Sequence, residues 1–261
     1  MNETLENQKN IASDIVMPLA DEEIQEMMKA GLHIGHVSSK THPKMASFIY
    51  VVRNGISIFD LIQTKEKLHE AEAVLKKLFS EGKTILFVGA KPPVRKLLMA
   101  LHEQHDVPVV TERWIGGTLT NFKVISGRIQ QLENLLKEKG EGGFKKYTKK
   151  EAMKKEDEIR HLEKTFGGIR KLKKLPDALF LADIDENELA VREAKRIGIS
   201  TIAVTDSNTN PALVDYPIPA NDTSIPSLSY IISRVEKSLT EGKKAAEKAK
   251  EKKEVDASIS K

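Results

Sequence analysis

Apolar positions along this chain follow two periods in alternation. Thr84-Ile85-Leu86-Phe87-Val88, Val107 to Thr111, Ala178-Leu179-Phe180-Leu181-Ala182 and Thr201-Ile202-Ala203-Val204 are short unbroken runs, the pattern of strands buried on both faces. The segments between them carry helix signals. Asp60 can cap a helix reaching Glu81-Gly82, Pro92 is tolerated in the first turn of a second, and Asn187 to Ile197 forms a third that ends at Gly198. Short strands joined through helices imply parallel pairing with right-handed crossovers. Upstream, Phe48 to Val52 and Ile56 to Phe59 read as strands around Arg53-Asn54-Gly55, because Asn-Gly accepts the positive φ angles of a tight hairpin turn. A short helix is expected from an Asp21 cap to Ala30, stopping at Gly31. Leu32 to Met45 reads as a polar stretch, and Thr223 to Leu239 as a last helix, kinked or started by Pro226.

One span breaks the alternation. After Arg113-Trp114-Ile115-Gly116-Gly117-Thr118-Leu119-Thr120-Asn121-Phe122, the residues Ile125, Ile129, Leu132 and Leu136 recur at steps of four, three and four. Beyond Gly140, Gly142 and Gly143, a Thr148 to Glu151 capping box opens a segment with Ile159, Leu162 and Phe166 at steps of three and four. Such narrow stripes suit two antiparallel helices packed mainly on each other, a coiled-coil hairpin. The expected organisation is a flexible arm over residues 1–20, an α/β domain built from 21–122 and 169–240, a hairpin insertion over 123–168, and a lysine-rich flexible tail over 241–261.

Charge changes the meaning of that insertion. From Lys123 to Lys174 the chain holds 16 Lys and Arg against 8 Asp and Glu, a net of +8. With 42 basic and 38 acidic residues in all, the remainder holds 26 against 30, a net of −4. Positive charge gathered on one protruding element is an electrostatic footprint for a polyanion, and RNA fits it. The chain has no cysteine, which excludes disulfides, thiolate metal sites and cysteine nucleophiles and fits a reducing cytoplasm. The start of the sequence lacks the basic residues and apolar run of a signal peptide, and no apolar stretch approaches the ~20 residues that span a bilayer. A cytoplasmic protein without a membrane partner is therefore expected.

An α/β pattern raises the possibility of a nucleotide enzyme. The loop after the first buried run, Gly89-Ala90-Lys91-Pro92-Pro93, has neither dinucleotide nor P-loop spacing, and its prolines remove N–H donors that a phosphate would need. Asp183 and Asp206 stand at the carboxyl ends of two expected strands, where open parallel sheets form ligand sites. With His36 they could make a His-Asp-Asp site for zinc or magnesium, although His33, His36 and His42 also read simply as polar surface or phosphate-contacting groups. Trp114 is either a core aromatic before a tight turn or part of a contact region with Arg113 and Asn121. The hairpin could alternatively be a solvated scaffold for protein contacts. Its two-to-one excess of basic residues favours RNA.

The residues Gly31-Leu32-His33-Ile34-Gly35-His36, Pro43-Lys44-Met45, Arg53-Asn54-Gly55, Ile85-Leu86-Phe87-Val88-Gly89 and the run from Arg113 to Phe122 stand in the same order as in a known family. So do Thr148-Lys149-Lys150-Glu151, Gly167-Gly168-Ile169, Leu175-Pro176-Asp177-Ala178-Leu179-Phe180 and Val214-Asp215-Tyr216-Pro217-Ile218-Pro219. Across residues 21–240 the chain resembles the bacterial family of ribosomal small-subunit protein two. The resemblance implies a flavodoxin-like α/β fold with a coiled-coil insertion, bound to 16S ribosomal RNA near the head–body junction. It also implies a late part in small-subunit assembly and a docking surface for ribosomal protein one. The expected protein is a structural one, without catalysis, a required cofactor or a homo-oligomer.

Candidate phosphate contacts on the hairpin are Arg128, Lys137, Lys145, Lys146, Lys149, Lys150, Lys154 and Lys155. Arg113, Asn121 and Lys123 are candidates at its root, and Lys40, Lys44 and Arg53 on the amino-terminal side. Two stretches depart from the family pattern. Val37-Ser38-Ser39-Lys40-Thr41-His42 replaces an arginine-rich segment, and Pro219-Ala220-Asn221-Asp222 replaces a Pro-Gly-Asn-Asp turn.

Overall fold

The structure, a computed structural model, describes residues 21–259, with the side chains of Lys145 and of residues 249–259 left outside that description. The expected arm over residues 1–20 lies outside the described residues. Asp21 accepts from the Glu23 N–H at 3.0 Å and so caps α1 (Glu22–Lys29). A small antiparallel sheet follows, with β1 (Ile34–Val37), β2 (Ile49–Arg53) and β3 (Ile56–Phe59) in the order β1-β3-β2. Asn54 and Gly55 take φ angles of 50° and 77° between β2 and β3, the twist that a two-residue hairpin turn requires.

The alternating part of the sequence forms α2 (Leu61–Ser80), β4 (Ile85–Val88), α3 (Pro92–His105) and β5 (Val109–Val110). The lysine-rich span forms α4 (Phe122–Gly140) and α5 (Lys149–Phe166). Then come β6 (Ala178–Leu181), α6 (Glu188–Ile197), β7 (Ser200–Thr205), β8 (Tyr216–Pro219) and α7 (Ile225–Ile259). Five strands pair in parallel in the order β5-β4-β6-β7-β8, which within the sheet is the doubly wound order 2-1-3-4-5. Strand β8 carries Pro217 and Pro219 and lies at a sheet edge, where a missing N–H costs no ladder bond. The backbone of α7 continues to Ile259 through the stretch read from sequence as a flexible tail. Its Lys, Glu and Ala residues are strong helix formers, which favours helical backbone in that stretch.

Alternation along the strands divides the interior in two. Ile85, Phe87, Phe180, Ile202, Val204 and Ile218 face α1, α2, α3 and α7. Leu86, Val88, Leu179, Leu181 and Ala203 face α6 and the roots of α4 and α5, as a side-chain period of two demands. Phe87 and Phe180 are fully buried with ring centres 5.5 Å apart, each contributing roughly 2–3 kcal/mol through burial. Helices α4 and α5 thus occupy the crossover between β5 and β6, and their roots complete the second layer.

Candidate nucleic-acid interface

The lysine-rich span forms two helices whose apolar stripes are buried with the second face of the sheet. Ile125, Ile129 and Leu132 on α4 and Ile159, Leu162 and Phe166 on α5 are buried in one cluster. Contacts between the helices run Gln131 to Glu158, then Glu138 to Lys155 at 2.8 Å and Lys139 to Glu156 at 3.3 Å. Positions that rise along α4 meet positions near the start of α5, so the helices are antiparallel. Thr148 accepts from the Glu151 N–H, and Glu151 accepts from the Thr148 N–H at 3.0 Å, which completes the expected capping box.

With the apolar stripes turned inward, the cations face water. Arg113, Lys123, Lys146, Lys149, Lys150 and Lys154 are exposed and make no ion pair with described residues. Arg128 is exposed with a hydrogen bond to Gln131, and Lys137 reaches Glu141 only at 4.0 Å. Asn121 precedes α4 and is exposed, without a side-chain capping bond. Lys155 differs: Glu138 and Tyr147 hold it at 2.8 and 3.0 Å. The side chain of Lys145 lies outside the described residues. On the amino-terminal side, Lys40 and Lys44 are exposed and Arg53 is half-buried.

The root of the pair is fastened by a residue not singled out in the sequence. Glu193, on α6, is buried and accepts from the Trp114 indole N–H at 3.2 Å and from the Gly117 N–H at 2.7 Å through one oxygen. Its other oxygen accepts from the Leu119 N–H and from the Thr120 N–H and hydroxyl at 3.0, 3.1 and 3.1 Å. Burial opposes ionisation, but the Thr120, Gly117 and Leu119 backbone donors and Trp114 outweigh it and hold the carboxyl below its usual range. Trp114 is therefore a core aromatic. Beyond α5, a Cβ on Gly168 would meet the Val109 carbonyl oxygen at 2.3 Å, so only glycine allows this approach to β5.

At the carboxyl rim of the sheet, His36 Nδ1 lies 2.9 Å from Asp206 Oδ1, and Lys91 Nζ lies 2.7 Å from Asp222 Oδ1. Asp183 belongs to a different set, accepting from the Glu186 N–H at 3.0 Å and the Asn187 amide at 2.9 Å. Two of the three residues of the expected His-Asp-Asp site are thus in contact, while the third holds the entry to α6. Among the described residues no group of three or more His, Asp and Glu is placed to hold a metal ion. Asp206 raises the His36 pKa against burial, whereas burial, with Asp206 beside it, pushes the Asp222 carboxyl up. Burial opposes the charge on Lys91, and Asp222 and Asp183 overcome it.

The chain's own amino-terminal segment lies over this rim. The Asn221 N–H donates to the Leu32 carbonyl at 3.1 Å, the His36 N–H to Ser207 Oγ at 2.8 Å, and the His42 N–H to the Ser207 carbonyl at 2.8 Å. Open parallel sheets usually bind small ligands at this place.

A family model described as Ribosomal protein S2 matches residues 27–242. The chain belongs to the ribosomal protein S2 family. It is 40% identical over 220 residues to the small ribosomal subunit protein uS2 of Coprothermobacter proteolyticus, covering 84% of this chain and 82% of that protein. To the uS2 protein of Dictyoglomus thermophilum it is 40% identical over 225 residues, 86% of this chain and 92% of that one. With the uS2 protein of Dehalococcoides mccartyi the identity is 39% over 222 residues, 85% and 91% of the two chains.

As an S2 family member the chain is a structural protein of the small ribosomal subunit, involved in translation, and not an enzyme. Among the described residues no helix is long and apolar enough to cross a membrane. Within this S2 fold the sequence marked the cation-bearing helices, but not the groups that hold them in place. Glu193 shares a helical face with buried Ala190, Val191 and Ala194, and a glutamate on an apolar face was the available signal. Glu138, Phe144 and Tyr147 gave none, because their roles depend on how the turn between α4 and α5 closes.

Proposed function

We propose that the chain binds 16S ribosomal RNA near the head–body junction of the small subunit, with α4 and α5 as a coiled-coil hairpin that lays cations along folded RNA. Arg113, Asn121, Lys123, Arg128, Lys137, Lys146, Lys149, Lys150 and Lys154 make the phosphate contacts, joined by Lys40, Lys44 and Arg53. Ribosomal protein one and neighbouring small-subunit proteins are the protein partners, and the working location is the cytoplasmic ribosome. The observation that carries the reading is the division of the helical pair: apolar stripes inward, and Lys123, Lys146, Lys149, Lys150 and Lys154 outward with no ion-pair partner among the described residues. Unpaired exposed lysines can neutralise phosphates and release the RNA's counterions without first breaking a surface ion pair. The reading requires no cofactor.

The test is affinity for 16S rRNA as a function of salt. Each neutralised phosphate steepens log affinity against log salt by about 0.7 on single strands to about 0.9 on duplex. Changing Lys146, Lys149, Lys150 and Lys154 together to Gln should weaken binding and flatten the slope by about 3. An unchanged slope would remove the helical pair from the RNA contact.

A further inference from the structure

We propose that the helical pair meets RNA with a preformed tip, in which Glu138, Phe144 and Tyr147 enclose Lys155 and make it a positioning residue for the neighbouring lysines rather than a phosphate contact. This rests on the RNA reading above. Glu138 lies near the end of α4, Phe144 and Tyr147 in the connecting turn, and Lys155 in the second turn of α5. One Glu138 oxygen accepts from the Tyr147 hydroxyl at 2.7 Å and the other from Lys155 Nζ at 2.8 Å. The ammonium also donates to the Tyr147 oxygen at 3.0 Å and lies 4.1 Å from the centre of that ring and 5.5 Å from that of Phe144. The two rings meet edge to face at 6.2 Å.

The backbone fits the same closure. A Cβ on Gly143 would lie 2.8 Å from Glu138 Cγ and 2.9 Å from its carbonyl oxygen, and Gly142 takes a φ of 71°. The Thr148 to Glu151 capping box begins α5 directly afterwards. The turn is tied to both helices, and Lys146, Lys149, Lys150 and Lys154 stand exposed beside it. Cations on an ordered turn lose less conformational freedom on binding than the same cations on a loose one. The individual contacts are exposed or half-buried and modest, so the clamp depends on its members acting together.

Glu138→Gln separates order from charge. It removes a negative charge from a basic element, so Coulomb attraction alone predicts tighter RNA binding, whereas the clamp predicts weaker binding. The full chain should be titrated with 16S rRNA across a salt series, alongside amide hydrogen exchange of residues 142–148 in the free protein. Expected are a roughly fivefold loss of affinity from the unpaid cost of ordering, faster exchange across 142–148 and an unchanged melting temperature. Lys155→Met should behave like Glu138→Gln, and Lys155→Arg should retain affinity. Equal or tighter binding by Glu138→Gln, or unchanged exchange, overturns the proposal. If the unaltered chain fails to bind 16S rRNA, the RNA reading falls and with it Lys155's role toward RNA, while the exchange data still decide whether the clamp orders the tip.

Discussion

His33 and His36 stand three residues apart, and their surroundings move them in opposite directions. His33 is buried, neither ring nitrogen has a partner among the described residues, and burial lowers its pKa from 6.5 to about 4. His36 faces the Asp206 carboxylate, which raises its pKa. The stability linked to His33 is therefore complete above pH 6.5 and is lost as pH falls toward 4, because the unfolded chain takes up a proton that the folded one refuses. The stability linked to His36 has the opposite sign, being complete below 6.5 and lost as pH rises through its elevated folded value. From pH 7 to pH 5 the His33 contribution should fall by about 2 kcal/mol. Denaturant melts of the parent and of His33→Leu at both pH values check this. The variant should lose about that much less than the parent, and equal losses would show that His33 is not the cause.

At the scale of elements, most of the architecture was legible in the sequence where one signal dominated. Asp60 does cap α2, accepting from the Ile62 N–H at 2.9 Å, and Gly198 closes α6 at a φ of 75°. Two strands were not legible. β1 contains Gly35 and His36 in place of an alternating apolar pattern, and β8 has proline at two of its four positions. Each is specified by its neighbours: β1 by pairing with β3, and β8 by its place at the edge of the parallel sheet. Val107 to Thr111 shortens to β5 at Val109–Val110, where only part of the run meets β4. Of the candidate interface, cation-bearing helices follow from periodicity and charge, whereas Glu193 depends on a contact across more than seventy positions of sequence. Glu193→Gln should leave several N–H donors facing a poorer acceptor, at a cost on the order of 3 kcal/mol. Trp114 is the single tryptophan, so its fluorescence reports that loop directly. A shifted emission with lowered stability is expected, and an unchanged spectrum and melt would deny Glu193 its anchoring role.

For the whole molecule, the net of +8 between Lys123 and Lys174 against −4 elsewhere coincides with a division of labour between root and tip. The roots of α4 and α5 belong to the second core, with Ile125, Ile129 and Phe166 packed beside Leu86, Val88 and Val110. The tip carries unpaired cations away from the sheet. The boundary near residue 123 is therefore one of exposure and charge, while the packing is continuous across it. Removing residues 124–166 would open the core as well as remove cations, which is why charge substitutions are the cleaner probe.

The central claim, that this chain is held in the small subunit through RNA, is tested most directly by sedimentation of the tagged full-length protein from a lysate, with and without ribonuclease. The account predicts co-migration with small subunits that is lost on ribonuclease treatment and weakened when Lys146, Lys149, Lys150 and Lys154 are changed to Gln. Co-migration that survives complete digestion of the RNA, or absence from the small-subunit fraction, would contradict it.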